Sequence, residues 1–185
     1  MLFRSKNVSI LIVKIQKTIC LMGFMGSGKS TIGEIIANRL SCSWVDTDQV
    51  IEQNQGQKIS DLVERFGWPY FREIESNTFK DLIDKKIQVI STGGGLPLNE
   101  TNLNMIQSNC VSFYLKADPI VLADRLYPES IDRPLINHYS SREELQNFIS
   151  NELKTRSISY EKADFLINAN QPIEMVVEEI LSFLI

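Results

Sequence analysis

The chain reads as an α/β protein, five parallel strands in one sheet with helices on both faces. Three observations predict this. Short continuous apolar runs alternate with segments of helical periodicity, the pattern of fully buried strands joined by crossover helices. Glycine-rich stretches follow the first and third of those runs, at the strand ends where open parallel sheets bind ligands. The chain has 185 residues, 43% apolar and 23% charged, enough for one core and unlike a disordered chain.

The elements follow in order. TICLM (18–22) is a buried strand ending at glycine, and KSTIGEIIANRL (29–40) sets Ile32, Ile35, Ile36 and Leu40 at helical spacing. SWVD (43–46) is the second strand. SDLVERF and FREIESNTFKDLI read as two helices, the second with Phe71, Ile74, Phe79 and Leu82 on one face. IQVIST (87–92) is the third strand and CVSFYL (110–115) the fourth. DPIVLADRL is a helix with Asp118 as N-cap and Pro119 at its first position. Residues 127–140, polar and with two prolines, form a long loop, and residues 142–163 a helix. DFLIN is the fifth strand, and Pro172 opens a last helix with Val176, Val177, Ile180 and Leu184 on one face. Residues 1–15 are an N-terminal extension, its apolar core (Val8 to Val13) too short and too interrupted for a signal peptide.

Charge and cysteine content exclude several classes. The net charge is −4, and basic residues are interleaved with acids, which argues against nucleic-acid binding. No apolar run reaches the length of a membrane span. Cys20, Cys42 and Cys110 are far apart and form no CxxC pair, so they read as thiols in a reducing cytoplasm.

GFMGSGKST matches G-x-x-x-x-G-K-[ST] at Gly23, Gly28, Lys29 and Ser30. Its glycines turn backbone N–H groups toward phosphate oxygens, and the helix that follows adds its positive dipole end. Gly26, Ser27, Gly28, Lys29, Ser30 and Thr31 are therefore the expected ATP-phosphate residues, with Lys29 on the β- and γ-phosphates and the Ser30 hydroxyl on magnesium. DTD places Asp46 and Asp48 at the end of the second strand. One carboxylate can support magnesium and the other can take a proton from a substrate hydroxyl; a turn and helix cap is the plainer reading. Gly93, Gly94 and Gly95 permit a close approach of backbone to ligand or form a turn. Arg72 and Glu75 sit three apart on a helix, where a surface pair is the plain alternative. Arg133 lies in the long loop, and an arginine on a lid can close over a phosphoryl group. Tyr160, Trp44 and Trp68 read as packing residues, and the lone His138 has no assigned role.

Taken in order, GFMGSGKST, DTD, FREIE, STGGG, RPL and RSISY resemble the shikimate kinase family over residues 18 to about 185. The resemblance implies a P-loop, nucleoside-monophosphate-kinase-like fold in which 16–185 is a single kinase domain with a mobile lid at about 127–140. It implies transfer of the ATP γ-phosphoryl to the 3-hydroxyl of shikimate, with Mg2+, in a cytoplasmic monomer. Asp48 would bind the ring hydroxyls and take the proton, and Arg72 and Arg156 would bind the carboxylate. Gly94 and its neighbours Gly93 and Gly95 would bring amides to the substrate. Arg133 would be the lid arginine and Arg125 the arginine near the adenine, while Asp46 joins Ser30 as the expected metal pair. Lys29, Asp48 and Arg133 are thus the expected catalytic residues. The sequence departs from the pattern where the family often has glycine then glutamate before the F-R pair; here Trp68 follows Gly67.

Rivals fit less well. A gluconate-type kinase would not need both FR..E and TGGG; a GTPase would want N-K-x-D and an ABC-type ATPase L-S-G-G-Q, and both are absent. A regulatory module without turnover would have lost Lys29, Asp48 or the lid arginine.

Overall fold

The computed structural model describes residues 17–128 and 136–184. The 1–15 extension and Arg133, with residues 129–135 of the expected lid, lie outside the described residues.

Five strands form one parallel sheet in the order β2-β3-β1-β4-β5. They are β1 (Thr18–Met22), β2 (Trp44–Asp46), β3 (Val89–Ser91), β4 (Cys110–Lys116) and β5 (Phe165–Asn168). Central β1 is buried along its whole length and alternates its side chains between two layers. Ile19 and Leu21 join a core with α1 (Lys29–Leu40) and α7 (Ile173–Phe183), through Ile32, Ile36, Val177 and Ile180. Cys20 and Met22 face the other way, onto Phe79 and Leu82 of α3 (Ile59–Asp84) and Ile106 of α4 (Glu100–Asn109). Each such side chain, fully buried, contributes about 1.5–3 kcal/mol. Helices on both faces explain why the strands are apolar runs rather than alternations.

Two helices are absent from the expected elements. The residues after β2 form a helix, α2 (Thr47–Gln55), that buries only Thr47 and Ile51. Helix α4 buries only Asn102, Leu103 and Ile106. Neither has an apolar stripe wide enough to read from sequence. The two helices expected around Gly67 are both present, joined end to end in α3 across a kink at Gly67 (φ 82°, ψ 166°) with Pro69 just beyond. Gly67 is required there, because side-chain-bearing residues rarely adopt that backbone. Asp118 stands at the N-cap of α5 (Pro119–Leu126), but its side chain makes no cap hydrogen bond. Helix α6 (Arg142–Tyr160) ends before the predicted 163. Cys20 and Cys110 are buried and Cys42 is partly so, all as free thiols. No helix among the described residues is long and apolar enough to cross a membrane.

Candidate active site

The carboxyl ends of the strands open into a cleft of about 520 Å³. Gly26 to Thr31, Asp46, Asp48, Thr92, Gly94 and Arg125 all line it. The loop after β1 reaches it through left-handed Gly26 (φ 78°) and Gly28 (φ 93°), which point consecutive amides inward. Lys29, the first residue of α1, is buried, and its Nζ donates to the carbonyls of Gly23 (2.9 Å) and Phe24 (2.8 Å). The loop is thereby shaped by the side chain that would meet the phosphates. Arg125 ties the loop to the end of β5, donating to Gly26 O at 3.2 Å and Ala169 O at 2.8 Å.

Asp46 ends β2 and caps α2. Its Oδ1 accepts from the amides of Asp48 (2.9 Å) and Gln49 (3.4 Å), and its Oδ2 accepts from the Ser30 hydroxyl at 2.5 Å. The cap and the site are one residue, so Asp46 and Asp48 do not share a strand face. Two hard oxygens side by side suit magnesium, which keeps waters and takes phosphate oxygens for its remaining positions. Among the described residues no group of three or more His, Cys, Asp or Glu side chains could hold a metal.

Asp48 lies directly against Gly93. A Cβ on Gly93 would collide with Asp48 Oδ1 and press on Glu75, and one on Gly95 would fall on the Arg72 guanidinium. Gly93 and Gly95 thus leave the room that the Asp48 and Arg72 side chains occupy. Burial is the main cause that pushes the Asp48 carboxyl up to about 7; the neighbouring charges of Asp46 and Glu75 add to it, against Lys29 and Arg72. Gly93 N–H donates to Thr47 Oγ1 at 2.7 Å, which fixes the turn.

Arg72 donates from Nη1 to Glu75 Oε2 at 2.6 Å. The pair is not the surface contact of the plain reading, because Glu75 is 1% exposed. Burial raises the Glu75 pKa against the hydrogen bond from Arg72. The sequence held a signal for this: Phe71, Glu75, Phe79 and Leu82 are the buried stripe of α3, and an acid on such a stripe needs a partner.

Arg156, on α6, donates to Glu152 through Nε (2.8 Å) and Nη2, and its guanidinium lies over the Phe24 ring at 5.2 Å. Tyr160 is fully buried, as a packing residue should be, and also donates to Gly94 O at 2.6 Å. Burial pushes its hydroxyl up to about 12, opposed chiefly by the charge of Arg156. The contact of Tyr160 with Gly94, 66 positions away, was not readable in the sequence.

The two tryptophans differ. Trp44 packs on the core and donates Nε1–H to Ser91 Oγ at 3.0 Å. Trp68 is 43% exposed, with Arg72 Cζ 5.1 Å from its ring centroid, so it does not pack as expected. His138 is exposed and meets Tyr139 at 4.1 Å between ring centroids.

A loop built for nucleotide phosphates shares its cleft with an aspartate set against glycines, at the carboxyl ends of the strands of a five-stranded parallel sheet. That combination defines a P-loop kinase acting on a small-molecule alcohol. Known proteins of similar sequence narrow the class. The sequence model of the shikimate kinase family matches residues 25–185. A shikimate kinase of Thermodesulfovibrio yellowstonii is 39% identical over 152 residues, 82% of this chain and 85% of that one. The solved shikimate kinase of Bacteroides thetaiotaomicron superposes with a TM-score of 0.86 at 31% identity, over 91% of this chain and 98% of that one. That of Acinetobacter baumannii, in complex with shikimate, gives 0.81 at 28% identity, over 92% and 93%. The chain belongs to the shikimate kinase family, and its reaction is the phosphorylation of shikimate in aromatic amino-acid biosynthesis.

Proposed function

We propose that this enzyme carries the γ-phosphoryl of magnesium-bound ATP to the 3-hydroxyl of shikimate, in the cytoplasm and as a monomer. The observation that carries the reading is the shared cleft of the phosphate loop and Asp48. Amides of Gly26 to Thr31 hold the phosphates, and Lys29 balances their charge. Ser30 and Asp46 would hold magnesium, which supplies charge neutralisation at the phosphate oxygens. Asp48 orients the ring hydroxyls and accepts the 3-hydroxyl proton at its carboxylate. A group poised near neutral pH is suited to that exchange. Arg72 and Arg156 take the substrate carboxylate with charge-assisted hydrogen bonds, and amides of Gly93 to Gly95 line the acceptor side. Arg125 sits at the nucleotide end of the cleft, and Arg133 closes over the transferring group.

The test is a coupled assay of ADP release with Mg2+ and ATP, with shikimate, gluconate or no acceptor. ADP release that requires shikimate and Mg2+ is expected. Release without acceptor, or only with gluconate, would discard the acceptor and the roles of Arg72, Arg156 and Asp48 together.

Arg156→Lys tests the clamp. Lysine keeps the charge but loses the planar fork, so the shikimate KM should rise about tenfold with the ATP KM unchanged. An unchanged shikimate KM would count against Arg156 as a carboxylate ligand.

A further inference from the structure

Trp68 is a large exposed side chain beside Arg72, and the mechanism above gives it no part. It follows the kink at Gly67 and precedes Arg72 by four residues, so the resumed helix puts both on one face. Arg72 Cζ lies 5.1 Å from the ring centroid of Trp68 and 5.1 Å from that of Phe71. The two rings meet edge to face at 5.9 Å between centroids. The Arg72 guanidinium is thus held by aromatic faces and, at Nη1, by Glu75.

We propose that Trp68 is a positioning residue for the acceptor: its indole holds the Arg72 guanidinium in the orientation that receives the shikimate carboxylate. The proposal rests on the reading of Arg72 given above. An indole face attracts the cation without taking any of its N–H donors. A second carboxylate at position 68 would claim donors that the substrate needs. The kink is the device that allows this, because it starts a new helical segment and places Pro69 in a first turn, where proline is tolerated.

The experiment is steady-state kinetics on Trp68→Ala, Trp68→Leu, Trp68→Phe, Arg72→Gln and the double variant Trp68→Ala/Arg72→Gln. Trp68→Ala should raise the shikimate KM about 3- to 10-fold, with kcat and the ATP KM unchanged. Trp68→Phe should recover most of the loss and Trp68→Leu none of it, since leucine supplies bulk without a π face. In the double variant, kcat/KM for shikimate should be no lower than in Arg72→Gln, because one orientation cannot be lost twice. Rescue by leucine equal to that by phenylalanine would make the contact one of packing and overturn the proposal. So would an unchanged KM in Trp68→Ala, a parallel fall in kcat, or multiplicative losses in the double variant. If Arg72→Gln leaves the shikimate KM unaltered, the reading of Arg72 fails and the proposal falls with it. If Arg72→Gln raises KM and Trp68→Ala does not, the proposal alone falls.

Discussion

Asp48→Asn should lower kcat by about 10²- to 10⁴-fold, the range for loss of a proton acceptor that also orients its substrate. The ATP Kd should stay near that of the wild type, because the loop from Gly26 to Thr31 is formed without the Asp48 side chain. The same substitution should stabilise the protein. The folded-state pKa of Asp48 is raised from 3.8 to about 7, chiefly by burial. Between those values the folded chain keeps a proton that the unfolded chain has released. Stability therefore falls as pH rises through that window, and the full cost stands above pH 7. A displacement of that size is worth at most about 4 kcal/mol. Asp48 opens onto a hydrated cleft, and screening reduces the figure to about 1–2 kcal/mol. Asparagine does not ionise, so at pH 8, without magnesium or nucleotide, the Tm of Asp48→Asn should exceed that of the wild type by about 2–8 °C. The gain should vanish toward pH 4. Thermal melts across that range, with nucleotide titrations at one pH, check both halves. Turnover within threefold of wild type would remove Asp48 from the mechanism, and a Tm gain independent of pH would remove the burial of its charge as the cause.

Lys29→Met should lower kcat/KM for ATP by about 10²- to 10³-fold, the usual loss when one fixed charge is taken from a developing anion. Methionine keeps an unbranched stem in a buried position, so the loss isolates the ammonium group. A second consequence is structural. The carbonyls of Gly23 and Phe24 both accept from Lys29 Nζ, and without it they depend on water that enters the cleft. Unsatisfied groups of this kind cost about 1–3 kcal/mol, so the Tm should fall as well. Nucleotide should restore less of that Tm than it does in the wild type, since Lys29 serves both the loop and the phosphates. A variant with wild-type kcat/KM for ATP would refute the assignment of Lys29, whatever its melting point.

What can be read from the chain is local. Residues 23–31 specify their own backbone, since a glycine at each left-handed position and a helix start at Lys29 fix the loop within a few residues. Five apolar runs announce five strands, and β1 and β3 are buried along their whole length, because a strand covered on both faces has no polar side to show. The polar helices α2 and α4 stayed hidden for the converse reason: they bury too few side chains to leave a period. In the DTD stretch the structure shows the helix cap, with one Asp46 oxygen capping α2 while the other accepts from Ser30.

The candidate site beyond the phosphate loop depended on distances that sequence does not carry. Gly93 and Gly95 are glycine because Asp48 and Arg72 lie where their Cβ atoms would be, contacts between segments far apart along the chain. Glu75 is buried because α3 turns that stripe inward, and Trp68 meets Arg72 because the kink at Gly67 restarts the helix between two faces. Tyr160 reaches Gly94 across 66 positions of sequence. Hydrophobic period and glycine placement determine backbone shape over a few residues, and so the sequence by itself determined the sheet, the loop and the class of chemistry. Which side chains then meet is decided by how the helices pack on that sheet, and only the tertiary structure set Asp48 against Gly93, Arg72 against Gly95 and Tyr160 against Gly94.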